Sequence, residues 1–408
     1  MAAAALCVAG SAWAGSVTYD FTNDPQADPD LAFVTSNNEQ PWSETGGNPG
    51  GFLGLTWSVG SLYTGILFPD IDPGKIVTGF NFKCDIRTGN GSLDRVADGF
   101  SVSFARSGDP VIEALENFDP NTAGYAGGIP EGGTTSGIAV SFDTWSGNTL
   151  PDTADIEGIL VRVDNVTVAR VALPTRNGAC DDNTSLQTGP FDSAYWTGGG
   201  TAYDPASYAG LCWQPFEIDL TDQGVLTVSW KGRKILDAYQ TSYFPSAGRL
   251  VFAGRTGGNN GHCHIDNLQL TTTAVESSGP PPVPTGLAAT STNARRVALT
   301  WQPSVMPDES RVAYELSRGG TVIAATLLET SFVDLDARPG VANNYSVRAR
   351  NLAGEYSAAA TLTVTTPGEV ANLSYTAARI YRGFGGATQA DLDTVLNSEK
   401  WPNGYDGT

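Results

Sequence analysis

The chain has 408 residues, with 48 glycines, 24 prolines and charged residues at only 16%. That length exceeds one ordinary sandwich and predicts two or three domains, while the turn-rich composition and the scarcity of long amphipathic helical patterns predict an all-β protein. A formal net charge of −20 argues against nucleic acid as a partner, because phosphate binding needs clustered lysine and arginine; it is compatible with an extracellular protein and with carboxylates that hold calcium.

The chain opens on Met1-Ala-Ala-Ala-Ala-Leu-Cys-Val-Ala-Gly-Ser-Ala-Trp-Ala14. This apolar run, closed by Ala12-Trp-Ala14, resembles the end of a secretory signal with a small-residue cleavage site before Gly15, although the basic start of such signals is missing. Leu6 ahead of Cys7 argues against a lipid anchor. No other apolar run approaches the length needed to span a bilayer. We therefore expect a leader over 1–14, export to the extracellular space or cell surface, and no membrane span.

Removal of the leader leaves Cys84, Cys180, Cys212 and Cys263. An even count in an exported chain favours disulfides, with three possible pairings. We expect Cys180 with Cys212, closing a loop-rich insertion, and Cys84 with Cys263, tying an early strand to the last strand of the domain. Cys84 shares a strand face with Phe80 and Phe82, so a buried free thiol is the alternative there.

Two runs carry the clearest strand pattern. In Val96-Ala-Asp-Gly-Phe-Ser-Val-Ser-Phe104, Phe100, Val102 and Phe104 face one way. In Gly137-Ile-Ala-Val-Ser-Phe-Asp-Thr-Trp145, Ile138, Val140 and Phe142 do the same, with Ser141, Asp143 and Trp145 opposite. Period-two alternation marks half-buried strands. Asp98 stands at the entrance of one strand and Asp143 at the exit of the other. Asp98 beside Gly99 is a candidate ligand contact, since the glycine lets a ligand approach the backbone and the carboxylate can accept from two hydroxyls; an Asp-Gly cap on the strand is the alternative. Trp145 offers an apolar stacking face, with a buried aromatic as the commoner alternative. Further on, Gly254-Arg-Thr-Gly-Gly-Asn-Asn-Gly261 brings the amides of Asn259 and Asn260 as donors, or as turn residues.

His262-Cys263-His264 holds the only histidines of the chain. Two imidazoles fall short of the ligands a zinc site needs, so strand-end histidines with ordinary hydrogen bonds are expected. No Ser-His-Asp constellation, phosphate loop or nicotinamide fingerprint is present.

A proline-rich linker is expected over 274–283, containing Gly279-Pro-Pro-Pro-Val283. Beyond it, Val297, Leu299 and Trp301 share a face, Gly319-Gly320 turns a hairpin, and Tyr345, Val347 and Ala349 share another face. The stretch 284–367 resembles a fibronectin type III domain, with a core Trp301 and a tyrosine-corner-like Tyr345. The remainder, 368–408, is similar in Ala378-Arg-Ile-Tyr-Arg-Gly-Phe-Gly-Gly386 to the opening of a protective-antigen-type carbohydrate-binding domain and is too short to bury a core alone; a tail is the alternative.

The paired runs at Asp98 and Asp143 resemble the strands of legume-type (L-type) lectins, where an Ala-Asp-Gly-aromatic run binds sugar and a Phe-Asp-Thr-aromatic run opens a calcium loop. The resemblance spans roughly 17–273, within a domain taken as 15–273. It implies a concanavalin A-like jelly-roll sandwich ahead of the immunoglobulin-like (fibronectin type III) one. It also implies a polysaccharide or glycan partner contacted by Asp98, Gly99, Trp145, Asn259 and Asn260. Calcium would take Asp143, the Trp145 carbonyl, Asn148 and Asp152, with one extra residue before Asn148 relative to the family. The family's transition-metal site is not expected, because Ser141 stands where a Glu is used and Ile156-Glu157-Gly158 where a His is used. The same Ser141 removes a carboxylate that related laminarinase-type glycosidases need, since retaining hydrolysis takes two carboxyl groups about 5–5.5 Å apart. The implied function is glycan binding without catalysis; a structural or adhesive surface protein, or the accessory end of a larger glycan-degrading enzyme, are the rivals. Nothing in the sequence fixes an oligomeric state.

Overall fold

A computed structural model of the chain describes residues 13–36, 41–91, 96, 98–117, 131–145, 156–175, 179–189, 203–276, 279–307, 311–352 and 354–368. The stretch 369–408, where the incomplete start of a third domain or a tail was expected, and the leader up to residue 12 lie outside the described residues. The chain divides into two compact units, Met1–Ser277 and Ser278–Thr408. Among the described residues each is built of antiparallel strands arranged in two sheets.

In the first unit the strands run, in chain order, β1 (Trp13–Tyr19), β2 (Ala32–Thr35), β3 (Trp42–Ser43), β4 (Phe52–Thr56), β5 (Tyr63–Leu67), β6 (Ile76–Gly91), β7 (Gly99–Arg106) and β8 (Ile138–Asp143). They continue as β9 (Gly158–Val163), β10 (Val166–Ala172), β11 (Gln214–Leu220), β12 (Val225–Trp230), β13 (Arg233–Gln240), β14 (Gly248–Arg255) and β15 (Gly261–Val275), with helix α1 (Pro110–Glu116) between β7 and β8. One sheet has the order β13-β12-β11-β6-β15-β4-β3, with β1 added on β15; the other has the order β10-β9-β8-β7-β14-β5-β2. β15 pairs with β6 as far as Val275 opposite Ile76, so the sheet takes in two residues that the sequence had assigned to the linker.

The core lies between the sheets. Phe80, Phe82, Cys84 and Ile86 of β6 face Phe100, Val102 and Phe104 of β7 and Ile138, Val140 and Phe142 of β8. Phe100 and Phe142 are direct cross-strand partners, with ring centroids 4.4 Å apart and planes only 15° from parallel. Each such side chain contributes about 1.5–3 kcal/mol by burial.

The expectation of half-buried strands is corrected: every residue of 99–105 and of Ile138–Asp143 is buried. The outer face of this sheet carries small residues that other chain segments cover. Ser141 Oγ donates to the Gly132 carbonyl at 3.1 Å and Ser103 Oγ accepts from the Thr134 N–H at 3.3 Å. Gly133 packs so closely that a Cβ there would lie 2.6 Å from Ser103 Oγ and Ala139 Cβ. Alongside, Asp109 caps α1 through the Val111 N–H at 2.8 Å, a favourable start for a helix. Ile112 and Leu115 then pack on Val34, Leu67 and Val251.

Cys180 and Cys212 form a disulfide, whereas Cys84 and Cys263 are buried free thiols, which corrects that expected pairing. Both thiols face the core, but the register sets Cys263 opposite Thr88, four residues along from Cys84. At about 3.3 Å per strand residue, their Cα atoms lie far beyond the ~7 Å limit for a bridge.

The second unit is a smaller sandwich of seven strands among its described residues: β16 (Thr285–Thr292), β17 (Val297–Gln302), β18 (Ala313–Arg318), β19 (Thr321–Leu327), β20 (Ser331–Asp334), β21 (Ala342–Arg350) and β22 (Ala360–Thr365). The sheet orders are β16-β17-β20 and β19-β18-β21-β22, an immunoglobulin-like layout. Trp301, Tyr314, Leu316, Tyr345 and Val347 fill its core. The β18–β19 hairpin turns at Gly319 and Gly320, with φ of 57° and 84°, the left-handed pair that a two-residue hairpin turn requires. Tyr345 does not close its corner onto a backbone carbonyl; its hydroxyl donates to Asp334 Oδ2 at 2.7 Å. The Arg318 guanidinium grips the same carboxylate at 2.8 and 2.6 Å.

Candidate functional site

The candidate site forms where β7 begins and where β8 and β14 end. Gly99 stands in register with Asp143 on one side and Arg255 on the other. Its φ is +148°, and a Cβ would lie 2.2 Å from the Phe142 carbonyl oxygen, so only glycine fits. Asp98 is held by its backbone across the same three strands: its N–H donates to the Arg255 carbonyl at 3.0 Å, and its carbonyl accepts from the Thr144 N–H at 3.1 Å. The local sequence Asp-Gly therefore fixes a carboxylate at the end of the sheet.

The side chain of Asp98 has a partner that the sequence did not reveal. Arg255 Nε donates to Asp98 Oδ2 at 3.1 Å and also lies 3.1 Å from Glu131 Oε2, while Arg255 Nη2 is 3.3 Å from Glu131 Oε1. Two carboxylates thus share one guanidinium. Burial raises the Asp98 carboxyl above its ordinary value; Arg255 pulls it down and Glu131 adds to the rise. Both acids are committed to the same cation, which is a poor arrangement for a nucleophile and a proton donor. The commitment of Asp98 is incomplete: its bonds run through Oδ2, and among the described residues no donor reaches Oδ1. Gly257 closes over this carboxylate, with Asp98 Oδ2 and Oδ1 lying 3.0 and 3.3 Å from where a Cβ would stand. Gly257 and Gly258 therefore form a side-chain-free rim beside it. Beneath Gly99, the cavity bounded by Phe100, Thr144, His262 and Cys263 is only about 10 Å³, room for about one water. A ligand at Asp98 has to lie on the surface.

The other expected contacts divide. Trp145 is half-buried next to the site, and its N–H donates to Asp143 Oδ1 at 3.1 Å, the Asx turn that keeps the Asp143 carboxylate, 4% exposed, against its own loop. Asn259 is half-buried in the rim, its carbonyl accepting from the Gly257 N–H at 3.0 Å. Asn260 is corrected: it is 1% exposed and turns inward, where its Oδ1 accepts from Ser58 Oγ at 2.9 Å. Of the calcium positions, Asp143 and Trp145 are side by side, while Asn148 and Asp152 lie outside the described residues. Among the described residues no group of three or more His, Cys, Asp or Glu is placed to hold a metal ion, and no helix is long and apolar enough to cross a membrane.

The histidines stand at the first end of β15, as its second and fourth residues. His262 and His264 lie within β15, both 0% exposed, on the face of the sheet away from the core. There they meet Phe52, Trp57 and Tyr208. Arg87 is the centre of this cluster, its guanidinium 4.3 Å from the Tyr208 ring and 4.4 Å from that of Trp213. Arg87 Nε donates to His264 Nδ1 at 3.1 Å, which leaves the proton of the neutral ring on Nε2 and makes that nitrogen a donor rather than a metal ligand. Burial, with Arg87 behind it, pushes His262 down to about 3 and His264 well below its ordinary value. Desolvation lowers Arg87 itself to about 10. Neutral imidazoles and a stacked cation make this a second, aromatic core beneath the Cys180–Cys212 segment.

No protein-family model matches the chain. Over 134 residues it is 34% identical to Exoglucanase B of Cellulomonas fimi, a match that covers 31% of this chain and 12% of that protein; the chain thus spans a small part of the relative's length. Among solved structures, the exoplasmic/lumenal domain of VIP36 in its Ca2+/Man3GlcNAc-bound form is 15% identical, with a TM-score of 0.36 over 61% of this chain and 86% of that one. The fibronectin type III domain of human fibronectin type III domain containing protein 3 is 19% identical, with a TM-score of 0.21 over 24% of this chain and 97% of that one.

Proposed function

We propose that the chain is an exported, non-catalytic carbohydrate-binding protein whose first unit takes a neutral glycan at Asp98. The observation that carries this reading is the half-engaged carboxylate: Arg255 pins Asp98 Oδ2 and leaves Oδ1 to accept from a sugar hydroxyl. A carboxylate fixed in advance loses little freedom on binding, which favours affinity. The glycine rim at Gly257 and Gly258 admits a sugar ring close to the backbone, Trp145 supplies an apolar edge and Asn259 a polar one. Asn260 has no part in this reading. Asp98, Glu131 and Asp143 against one arginine make the site net acidic, which disfavours uronates and sulfated sugars. Calcium belongs to the same proposal, held by Asp143, the Trp145 carbonyl, Asn148 and Asp152, where it would brace the loop that follows β8.

A second reading has its own support. The likeness to part of Exoglucanase B suits an accessory portion of a longer glycan-degrading protein, in which the fibronectin-like unit acts as a spacer. The two readings share the binding site and differ in what lies beyond this chain.

A glycan array probed with calcium, and again with chelator, tests the proposal. Binding to neutral oligosaccharides is expected, and its loss with chelator would assign the calcium. Absence of binding in both conditions would overturn the glycan reading and leave a structural or adhesive role.

A further inference from the structure

Asp72 is a buried carboxylate, 4% exposed, with no lysine or arginine paired to it among the described residues. Its Oδ2 accepts from Thr272 Oγ1, a side chain that is itself 0% exposed. Lys75, three residues on, donates its backbone N–H to the Asp72 carbonyl at 3.0 Å, but its ammonium pairs with Glu276 at 3.7 Å. A buried carboxylate without a counter-ion is costly.

The backbone of Gly15 lies beside this carboxylate. The Gly15 N–H donates to Thr272 Oγ1 at 3.1 Å, the same hydroxyl that reaches Asp72. A Cβ on Gly15 would lie 2.9 Å from Asp72 Oδ2 and 2.8 Å from the Ile71 carbonyl oxygen, so glycine alone allows this approach. With ordinary bond lengths, the Gly15 nitrogen is then within roughly 5.5 Å of the carboxylate. Gly15 follows Ala12-Trp-Ala14, the small-residue cleavage pattern. The strand also allows a cut there: pairing of β1 with β15 is irregular between Trp13 and Ser16 and regular from Ser16 to Tyr19.

We propose that cleavage of the Ala14–Gly15 bond creates an ion pair between the new, half-buried α-ammonium of Gly15 and the buried Asp72, so that processing during export completes the sandwich. This rests on the export reading. A leader peptidase adds water across the amide: the hydroxyl goes to the Ala14 carbonyl carbon and the proton to the Gly15 nitrogen. Ala14 leaves as a carboxylate, and Gly15 gains a further proton from solvent to become the ammonium. Before the cut, the same nitrogen is a neutral amide, and among the described residues the Asp72 carboxylate has only the Thr272 hydroxyl.

Two measurements test it separately. Mass spectrometry of the exported protein should give Gly15 as the first residue, and any other start would overturn the processing step. Full-length protein to Thr408, released from a cleavable tag to begin at Gly15, is compared with the same protein begun at Ala14, each with and without Asp72→Asn. The protein begun at Gly15 should have an unfolding equilibrium constant at least tenfold lower than that begun at Ala14, and Asp72→Asn should abolish the difference. If Asp72→Asn does not fold, acetylation of the Gly15 amine removes the charge without touching Asp72 and should raise the constant to the level of the protein begun at Ala14. Equal stability of the proteins begun at Gly15 and Ala14 would overturn the ion pair even if export cleaves at Gly15.

Discussion

Each unit of this protein contains an aspartate gripped by an arginine, and the two pairs differ in what they leave over. In the second unit both oxygens of Asp334 are used: Arg318 reaches both, Tyr345 donates to Oδ2, and the Asp336 N–H donates to Oδ1 at 2.9 Å. In the first unit Arg255 holds only Oδ2 of Asp98 and divides its charge with Glu131. A fully satisfied buried pair serves the fold, because any change strands a charge. A half-satisfied pair whose carboxylate is largely buried and whose arginine is partly exposed keeps one oxygen fixed in position for something else.

The contrast can be broken by mutation. Asp334→Asn should be the most damaging single change, since it leaves Arg318 without a counter-charge; a loss of about 3–5 kcal/mol from the second unit is expected, read as the fall of its melting transition with that of the first unit unmoved. A pH effect of up to about 3 kcal/mol should come from Asp266. Burial raises its carboxyl to about 6, against the backbone N–H groups of Asn48 and Asn267, with Asp85 and Asp20 adding to the rise. A folded value above the unfolded one means that the protonated acid is the favoured form. The associated stability is therefore complete below about pH 4 and is lost as pH rises through about 6. The melting temperature of the first unit should climb from pH 7 to pH 5 more steeply in the native protein than in Asp266→Asn; equal slopes would contradict the assignment. Asp98→Asn should be mild for the fold, under about 1 kcal/mol, because Arg255 keeps Glu131 and is itself partly exposed. Thiol titration of denatured, unreduced mature protein should find two groups, Cys84 and Cys263. A third would show that Cys7 and the leader are retained, and none would restore the abandoned second disulfide.

Much of the sandwich was legible because alternation writes the core face directly: Phe100, Val102 and Phe104 point inward as their spacing requires. The outer face was not, because Ser101, Ser103 and Ser141 read as exposed polar residues, and what covers them comes from 131–136; Ala105, Val34 and Val251 lie under a helix of seven residues too short for periodicity to announce. Cys84 and Cys263 show a similar limit. Alternation placed Cys84 on the core side with Phe80 and Phe82, but the offset between β6 and β15 is set by pairing along the whole ladder, which no local pattern carries. At the site, Asp98, Gly99 and the neighbouring Asp143 were found by motif. Arg255 was in view within the Gly254–Gly261 run, but its partners are 157 and 124 residues away in sequence, and nothing local marks a charge that will be shared. Asn260 failed for the opposite reason: adjacent asparagines look alike in sequence, and the turn sends only one of them outward.

The most direct test of the account is the affinity of one neutral oligosaccharide, chosen from the array, for the native protein and for Asp98→Asn, with the melting temperature recorded for both. A hydrogen bond to a charged acceptor contributes about 1.5–3 kcal/mol against roughly 1 for a neutral one, and Asn preserves the shape of the side chain. The account predicts affinity lower by about tenfold or more with the melting temperature nearly unchanged. Unchanged affinity would contradict it and make Asp98, like Asp334, a residue of the fold alone.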